Sequence, residues 1–367
     1  MRLATFNVEN LFDRPSAMNL ATWAEGKKVL DAFNRLNELI EAKVYTDHIK
    51  EQIVDLYQEN SSEKRKFIKL NEIRGKLLKA KGKSYEVVAP GRASWIGWFE
   101  LEEHSVQEPA IENTARVIRE VRPDVLCVIE AEDRPALRKF NETMIPDVGG
   151  TPFDHLMLVD GNDYRGIDVA IMAREPAQIV DIVTHVDDKD EHGEIFSRDC
   201  AEYTIKTPSG EELLVMVNHF KSKDGKAESD AKRKRQAERV RAIYDARRKK
   251  DNGYHKYVVI AGDLNDNPEH GPLDTLLKNG SDLVDVMSHS KFHGDGRPGT
   301  FGNGTKDNKI DYILMSPELS EKVQFASIER RGVWGGKNGT LFPHFNEVHN
   351  TLEAASDHAA LFVDLNL

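Results

Sequence analysis

Residues 258–266 read Val-Val-Ile-Ala-Gly-Asp-Leu-Asn-Asp, and no other stretch limits the fold so tightly. Four apolar residues, three of them β-branched, meet a glycine and end in Asp263, Asn265 and Asp266. A short run that is apolar at successive positions is the pattern of a strand buried on both faces. The glycine lets the backbone turn or lets another group approach closely. The polar residues then stand at the strand's carboxyl end, where sheet enzymes collect their chemistry. Asp263 and Asn265 are two apart, so in extended chain they point the same way. A carboxylate beside a neutral amide suits a hard cation, a water or a phosphate. A strand followed by an Asx-rich turn would use the same residues, so this stretch alone leaves both readings open.

The construction recurs. Residues 3–8 lead to Asn7 and Glu9, residues 125–129 to Glu130, and residues 213–217 to Asn218 and His219. Residues 309–314 carry Asp311 within Lys-Ile-Asp-Tyr-Ile-Leu, and the final strand follows Ser-Asp357-His358. Turn chemistry does not explain one polar group at the end of each of many apolar strands. A Glu ending the most hydrophobic strand would suffer desolvation unless it met a cation.

The chain has 367 residues, 39% hydrophobic and 31% charged, as expected of a globular protein with one large core or two domains. No apolar run approaches a membrane span. The first strand begins within two residues of Met1, which leaves no room for a secretory signal before it. The expected location is cytoplasmic, although a processed secreted form given a new Met would look the same. Cys127 and Cys200 make neither a disulfide framework nor a metal spacing. The net charge is −11, so a polyanion partner requires a local basic patch or metal ions. Residues 221–250 provide a candidate patch, with 13 Lys/Arg against 5 Asp/Glu. A solvated helix surface would have the same composition.

Residues 14–111 differ in character. Apolar positions 29, 33, 36 and 40, then 49, 53 and 56, then Phe67, Leu70, Ile73 and Leu77 fall at helical spacing. They predict two or three amphipathic helices without a catalytic cluster. Trp95, Trp98 and Phe99 read as core or hairpin aromatics, since only Arg92 is close in sequence. Arg165, between two strands, offers a fork of donors for a phosphate or marks a surface turn. Lys221 follows Asn218 and His219 closely, and this cationic strand end suits contacts with a phosphodiester, although a lone His is more often structural than catalytic. Residues 178–206 read as a hairpin, and the Gly-rich stretch 293–308 as a functional or mobile loop.

The inventory is Asn7, Glu130, His219, Asp263, Asn265, Asp311, Asp357 and His358. No nucleophile elbow, Walker loop, dinucleotide fingerprint or zinc spacing accompanies it. Oxygen ligands select Mg²⁺ or Mn²⁺ over zinc. Two histidines and several acids around such an ion fit phosphoester hydrolysis by water, with an acid deprotonating water and a protonated His stabilising the developing charge.

The motifs Thr-Phe-Asn7-Val-Glu-Asn, Val-Ile-Glu130, Val-Asn218-His219, Gly-Asp263-Leu-Asn265, Lys-Ile-Asp311-Tyr-Ile and Ser-Asp357-His358 resemble, in order, those of the endonuclease/exonuclease/phosphatase superfamily with its DNase-I-like fold. The resemblance is closest to bacterial nuclease-like members carrying Asn-Val-Glu-Asn-Leu-Phe and Asn-His-Phe-Lys-Ser-Lys. It implies a single α/β domain over 1–367, a four-layer αββα sandwich of two mostly antiparallel sheets. Residues 14–111 would be a largely helical insertion after the first strand. It also implies Glu130 as the principal metal ligand, with Asn7 close by and Asp357 completing the metal side. Asp263 would orient or deprotonate water, Asn265 would hold a phosphate oxygen, and His358, oriented by Asp311, would contact the scissile phosphate. His219 matches the second histidine of DNase-like members.

Three functions are therefore in competition. One is a nuclease with little sequence preference, cutting DNA or RNA. The second is a small-molecule phosphodiesterase or phosphatase on the same fold. The third is a catalytically silent binding protein, which predicts missing site residues. Fold does not decide between the first two. Nothing in the sequence calls for an obligate protein partner.

Overall fold

The computed structural model describes all residues except 10, 20–22, 63–64, 164, 250–253 and 279. The chain forms two compact units, Met1–Phe12 with Val106–Leu367, and Asp13–Ser105.

The unit Asp13–Ser105 contains helices α1 (Trp23–Ile40) and α2 (Asp47–Asn60). Thr46 caps α2 by accepting the Ile49 N–H. Its two ends, Asp13–Pro15 and Glu103–Ser105, pair with each other as short antiparallel strands. The helices expected from residues 29–56 are present, but the helical reading of residues 67–77 is corrected. Ile68–Arg74 is a strand, paired antiparallel with Ile96–Leu101. Burial there has period two: Gly97, Phe99 and Leu101 are buried and Ile96, Trp98 and Glu100 exposed. Phe67 and Leu77 lie outside the strand Ile68–Arg74 and Ile73 sits at a bulge between Glu72 and Arg74, so their helical spacing with Leu70 does not mark one face. This unit has its own core, in which Phe33, Leu36, Ile53, Leu77 and Trp95 meet.

The larger unit is α/β, with two main mixed sheets. The first sheet contains β1 (Arg2–Asn7), β2 (Val125–Ala131), β3 (His155–Val159) and β4 (Asp168–Ala173). The second contains β5 (Gln178–Val183), β6 (Cys200–Lys206), β7 (Glu212–His219), β8 (Tyr257–Asp263) and β9 (Asp311–Met315). The strands β10 (Val323–Glu329) and β11 (Ala360–Leu365) return to the first sheet, whose order is β3-β4-β2-β1-β11-β10 with Phe292–His293 at the edge. The second sheet runs β5-β6-β7-β8-β9, with Val284–Asp285 at its edge. The central pairs β1–β2 and β7–β8 are parallel, so their carboxyl ends lie together; most other pairs are antiparallel. The hairpin read from residues 178–206 is the antiparallel pair β5–β6.

Alternation along each strand divides the apolar residues. Leu3, Cys127, Val169, Ile171, Val215, Val217, Val259, Ala261 and Ile313 belong to one core shared by both sheets. Phe6, Val128 and Met172 face outward onto helices α3 (Glu108–Val121) and α4 (Arg134–Asp147). Met216, Ile260 and Leu314 face outward onto α5 (Ala227–Arg247). The sheets therefore meet face to face, with helices on both outer surfaces. Arg233 is fully buried on α5 and ties that helix to the loop after β8 through Asp266 at 3.0 Å.

Gly262 holds β7 and β8 together at the critical point. Its φ is 131°, and a Cβ there would lie 1.9 Å from the Asn218 carbonyl oxygen. Gly262→Ala should destabilise the protein by about 2–4 kcal/mol. A lower urea midpoint with unchanged slope is the expected reading; a midpoint equal to wild type would refute the close-approach argument.

Candidate active site

The site continues the core. Asn7, His219, Asp263 and Asp311 each extend the inward-facing alternation of their strand by one polar residue. His219 and Asp263 are register partners, as are Asp263 and Asp311. Glu130 is out of phase, since its neighbours Val128 and Ile129 face outward and inward respectively. A bulge between Ile129 and Ala131, with Glu130 at φ 68°, accommodates it. The Glu130 Oε1 then accepts the Asn7 Nδ2–H at 3.2 Å. Such a strained backbone, held in place by a buried sheet, is common where a side chain must be aimed.

Asn7 is the hub. Its amide nitrogen also lies 3.3 Å from Asp263 Oδ2 and 3.4 Å from His358 Nε2. Its Oδ1 accepts the Glu9 N–H at 3.0 Å, and a Glu9 oxygen accepts the Asp357 N–H at 3.2 Å. Asn265, at φ 54°, donates its backbone N–H to Asp263 at 2.8 Å and its amide to the Phe220 carbonyl at 3.1 Å. Asp357 Oδ1 lies 3.6 Å from His358 Nε2.

The two histidines are set in opposite states. His219 Nε2 is 3.5 Å from Glu130 and 3.7 Å from Asp263, and its Nδ1 is buried without a partner among the described residues. Burial, then Arg198 and Arg165, push its pKa well below the usual value, so it is neutral. His358 is equally buried, but its Nδ1 faces both oxygens of Asp311 at 3.1 and 2.9 Å. Burial alone would favour the neutral ring; the Asp311 charge overrides it and raises the pKa well above the usual value. Environments that drive two like groups apart are how a protein assigns acid and base roles. Asp263 is itself pushed up to about 8, first by burial and next by Asp311.

The Gly-rich stretch is bound to this centre. Thr300 donates its hydroxyl to Asp311 at 2.6 Å, and the Phe301 ring lies 4.8 Å from the His358 ring. Ala359 N–H reaches Thr300 O, and Gly302 N–H reaches Asp357 O. Buried Arg330 secures the loop from behind through the Gly299 carbonyl at 2.6 Å.

A cationic wall stands beside His219. Arg165 pairs with Asp163 at 2.8 Å, and Arg198 donates to the same carboxylate at 2.9 Å. Arg198 also donates to the Phe220 carbonyl at 2.6 Å, while its Nε–H is buried without a partner among the described residues. Two guanidiniums thus share one carboxylate. Lys221 joins them: burial, then Arg165 and Arg198, lower its pKa. Arg198 was missed in the sequence because a lone Arg two residues before a strand carries no motif. Asn218, expected to touch substrate, is not brought to the site. It is one residue out of phase with His219, fully buried on the helix side, with its amide on the Met216 carbonyl. A second acid–His cluster, Asp230, Asp266 and His270, is paired with Arg233, which reaches both acids, and with Lys223, 3.4 Å from Asp266.

A model of the Endonuclease/Exonuclease/phosphatase family matches residues 107–358. The chain belongs to that family. As a member of the endonuclease/exonuclease/phosphatase family it is a phosphoester hydrolase, of a kind that generally depends on a divalent metal. No curated protein matches it in sequence. Among solved structures it is similar to an endonuclease/exonuclease/phosphatase family protein from Bacteroides thetaiotaomicron, at 19% identity over 70% of this chain and 86% of that one, TM-score 0.48. It is also similar to a mannosyl-6-phosphatase from the same species, at 17% identity over 71% and 90%, TM-score 0.48. A third is the human Nocturnin catalytic domain, at 16% over 69% and 86%, TM-score 0.45. No described helix is long and apolar enough to cross a membrane.

Proposed function

We propose that this protein is a metal-dependent nuclease that hydrolyses DNA with little sequence preference. The observation that carries the proposal is the convergence of Asn7, Glu130, His219 and Asp263 on His358, itself held by Asp311, beside Arg165 and Arg198. A phosphodiester brings the negative charge that wall lacks.

The donor set fits a hard cation. Glu130, Asp263 and Asn7 converge, and burial, then the Asp311 charge, holds the Asp263 carboxyl up to about 8. Glu130 would hold Mg²⁺ or Mn²⁺, with Asn7 and Asp357 beside it. When bound, the ion supplies Lewis-acid polarisation of the phosphoryl oxygens. The chain's own residues do the rest. Asp263 orients water and accepts its proton, positioned by the Asn265 N–H. His358, charged and aimed by Asp311, stabilises the charge that develops on the phosphoryl group. Asn265, Arg165 and Lys221 hold the remaining phosphate oxygens.

The test is hydrolysis of supercoiled plasmid and of bis(p-nitrophenyl) phosphate, each with Mg²⁺, Mn²⁺ or EDTA. Metal-dependent nicking that weakens steeply with salt is expected, because polyanion binding releases counterions. Cleavage of the small diester with plasmid left intact would refute the nuclease reading in favour of a small-molecule phosphodiesterase.

A further inference from the structure

The unit Asp13–Ser105 presents a surface that its own fold leaves unused. In the ribbon Ile68–Arg74/Ile96–Leu101, one face supplies Ile68, Phe99 and Leu101 to the core. The other face leaves Trp98 47% exposed and Ile96 50% exposed, and Ile73 at the bulge is 68% exposed. Such a cluster of large apolar groups in water marks a contact surface more often than chance.

Register determines what surrounds the ring. Trp98 pairs with Asn71, Ile96 with Arg74, and Glu100 with Lys69. Directly paired residues share a face, so two cations that sequence separates from Trp98 by more than twenty positions flank it across the ribbon. Glu100, the acid on this face, is engaged by Asn71 at 2.5 Å and Lys69 at 3.8 Å. Residues 64–83 contain nine Lys/Arg against one acid, Glu72, in a chain of net charge −11. Glu72 is occupied by Lys76 and the Leu77 and Leu78 N–H groups. Arg74, Lys79 and Lys83 are exposed and have no carboxylate partner among the described residues.

We propose that this ribbon binds single-stranded nucleic acid, with a base stacked on Trp98 and phosphates held by Arg74 and Lys69. An aromatic ring bordered by cations is the arrangement that accepts any base on its π-face while tracking the backbone. Residues two apart along the strand stand about 7 Å apart, so Ile96 gives the Trp98 ring an apolar neighbour against which a base edge can pack. An anionic membrane is a poorer match, since its binders present a broad apolar helix face. This binding lies outside the hydrolytic centre and needs no turnover.

The test uses full-length protein in EDTA with a fluorescein-labelled thirty-residue oligo-dT, read by anisotropy. Trp98→Ala should weaken binding about tenfold, and Trp98→Phe should retain most of it. Arg74→Glu with Lys69→Glu should weaken binding similarly and flatten its salt dependence. Hydrolysis of bis(p-nitrophenyl) phosphate should be unchanged in all three. In a His358→Ala background, Trp98→Ala should still weaken oligonucleotide binding about tenfold, which separates failure of the hydrolytic reading from failure of this one. Wild-type affinity in both Trp98→Ala and the double charge reversal would overturn the proposal. So would binding to phosphatidylserine vesicles without binding to the oligonucleotide.

Discussion

Replacing His358 with alanine should lower kcat for phosphodiester hydrolysis by about 10²- to 10⁴-fold, the usual range for a positioned acid–base group. The imidazole is buried, yet Asp311 holds it charged from 2.9 Å, and Thr300 fixes Asp311 in turn. Removing the ring removes a preorganised cation from a low-dielectric site, where such a charge counts most. Initial rates on bis(p-nitrophenyl) phosphate at saturating Mn²⁺ give the measurement. Asp311→Asn separates charge from presence. His358 keeps a neighbour at Nδ1 but loses the carboxylate that raises its pKa, so the pKa should fall. Activity that requires the charged ring is present below that pKa and lost above it. The alkaline limb of the kcat profile should therefore move to lower pH in the variant. A profile that does not move, or a His358→Ala rate near wild type, would remove His358 from the chemistry.

Much of this arrangement could be read from parity. Asn7, His219, Asp263 and Asp311 each follow an alternation of inward apolar residues, so their strands identify the face on which they stand. The same rule excludes Asn218, which belongs to the phase of Leu214 and Met216. Motif reading took it with His219 because the two are adjacent. Glu130 was legible as a carboxylate ending an apolar strand, but its bulge was not, since a positive φ at a non-glycine residue leaves no trace in composition. Glu9, which joins Asn7 to the Asp357 backbone, stood next to a recognised residue without a signal of its own. Arg198 depends on packing between Asp163 and Phe220, groups far apart in sequence. The ribbon at 68–74 was hidden for a different reason: apolar residues just outside the strand, Phe67 and Leu77, combine with Leu70 and the bulged Ile73 into a helix-like spacing.

Asp263→Asn should abolish most activity, by about 10³-fold, and at the same time stabilise the metal-free protein. The Asp263 side chain is buried beside Asp311 and Glu130, and its carboxyl is pushed up to about 8, against an ordinary value near 4. The sign follows from linkage. A group whose folded pKa is raised binds its proton more tightly in the native state than in the unfolded one. Its contribution is fully present below the unfolded pKa and is lost as pH rises through the folded pKa. In EDTA, wild-type stability should therefore decline between about pH 4 and pH 8, by on the order of a few kcal/mol. The amide of the variant does not ionise, and its oxygen still accepts the Asn265 N–H; the acceptor lost to the Asn7 and Asn265 amides costs about equally at all pH values, so the pH-dependent decline should largely disappear. Urea midpoints at pH 5 and pH 8 test this: the variant should exceed wild type chiefly at pH 8. A variant less stable than wild type at both values would show that the carboxylate is structurally required. Mg²⁺ should reverse the order, because the ion stabilises the native state by an amount that grows with the logarithm of its affinity, and that affinity depends on the charged carboxylate. The site is thus unfavourable to the fold while it is short of positive charge, and favourable once a cation supplies it.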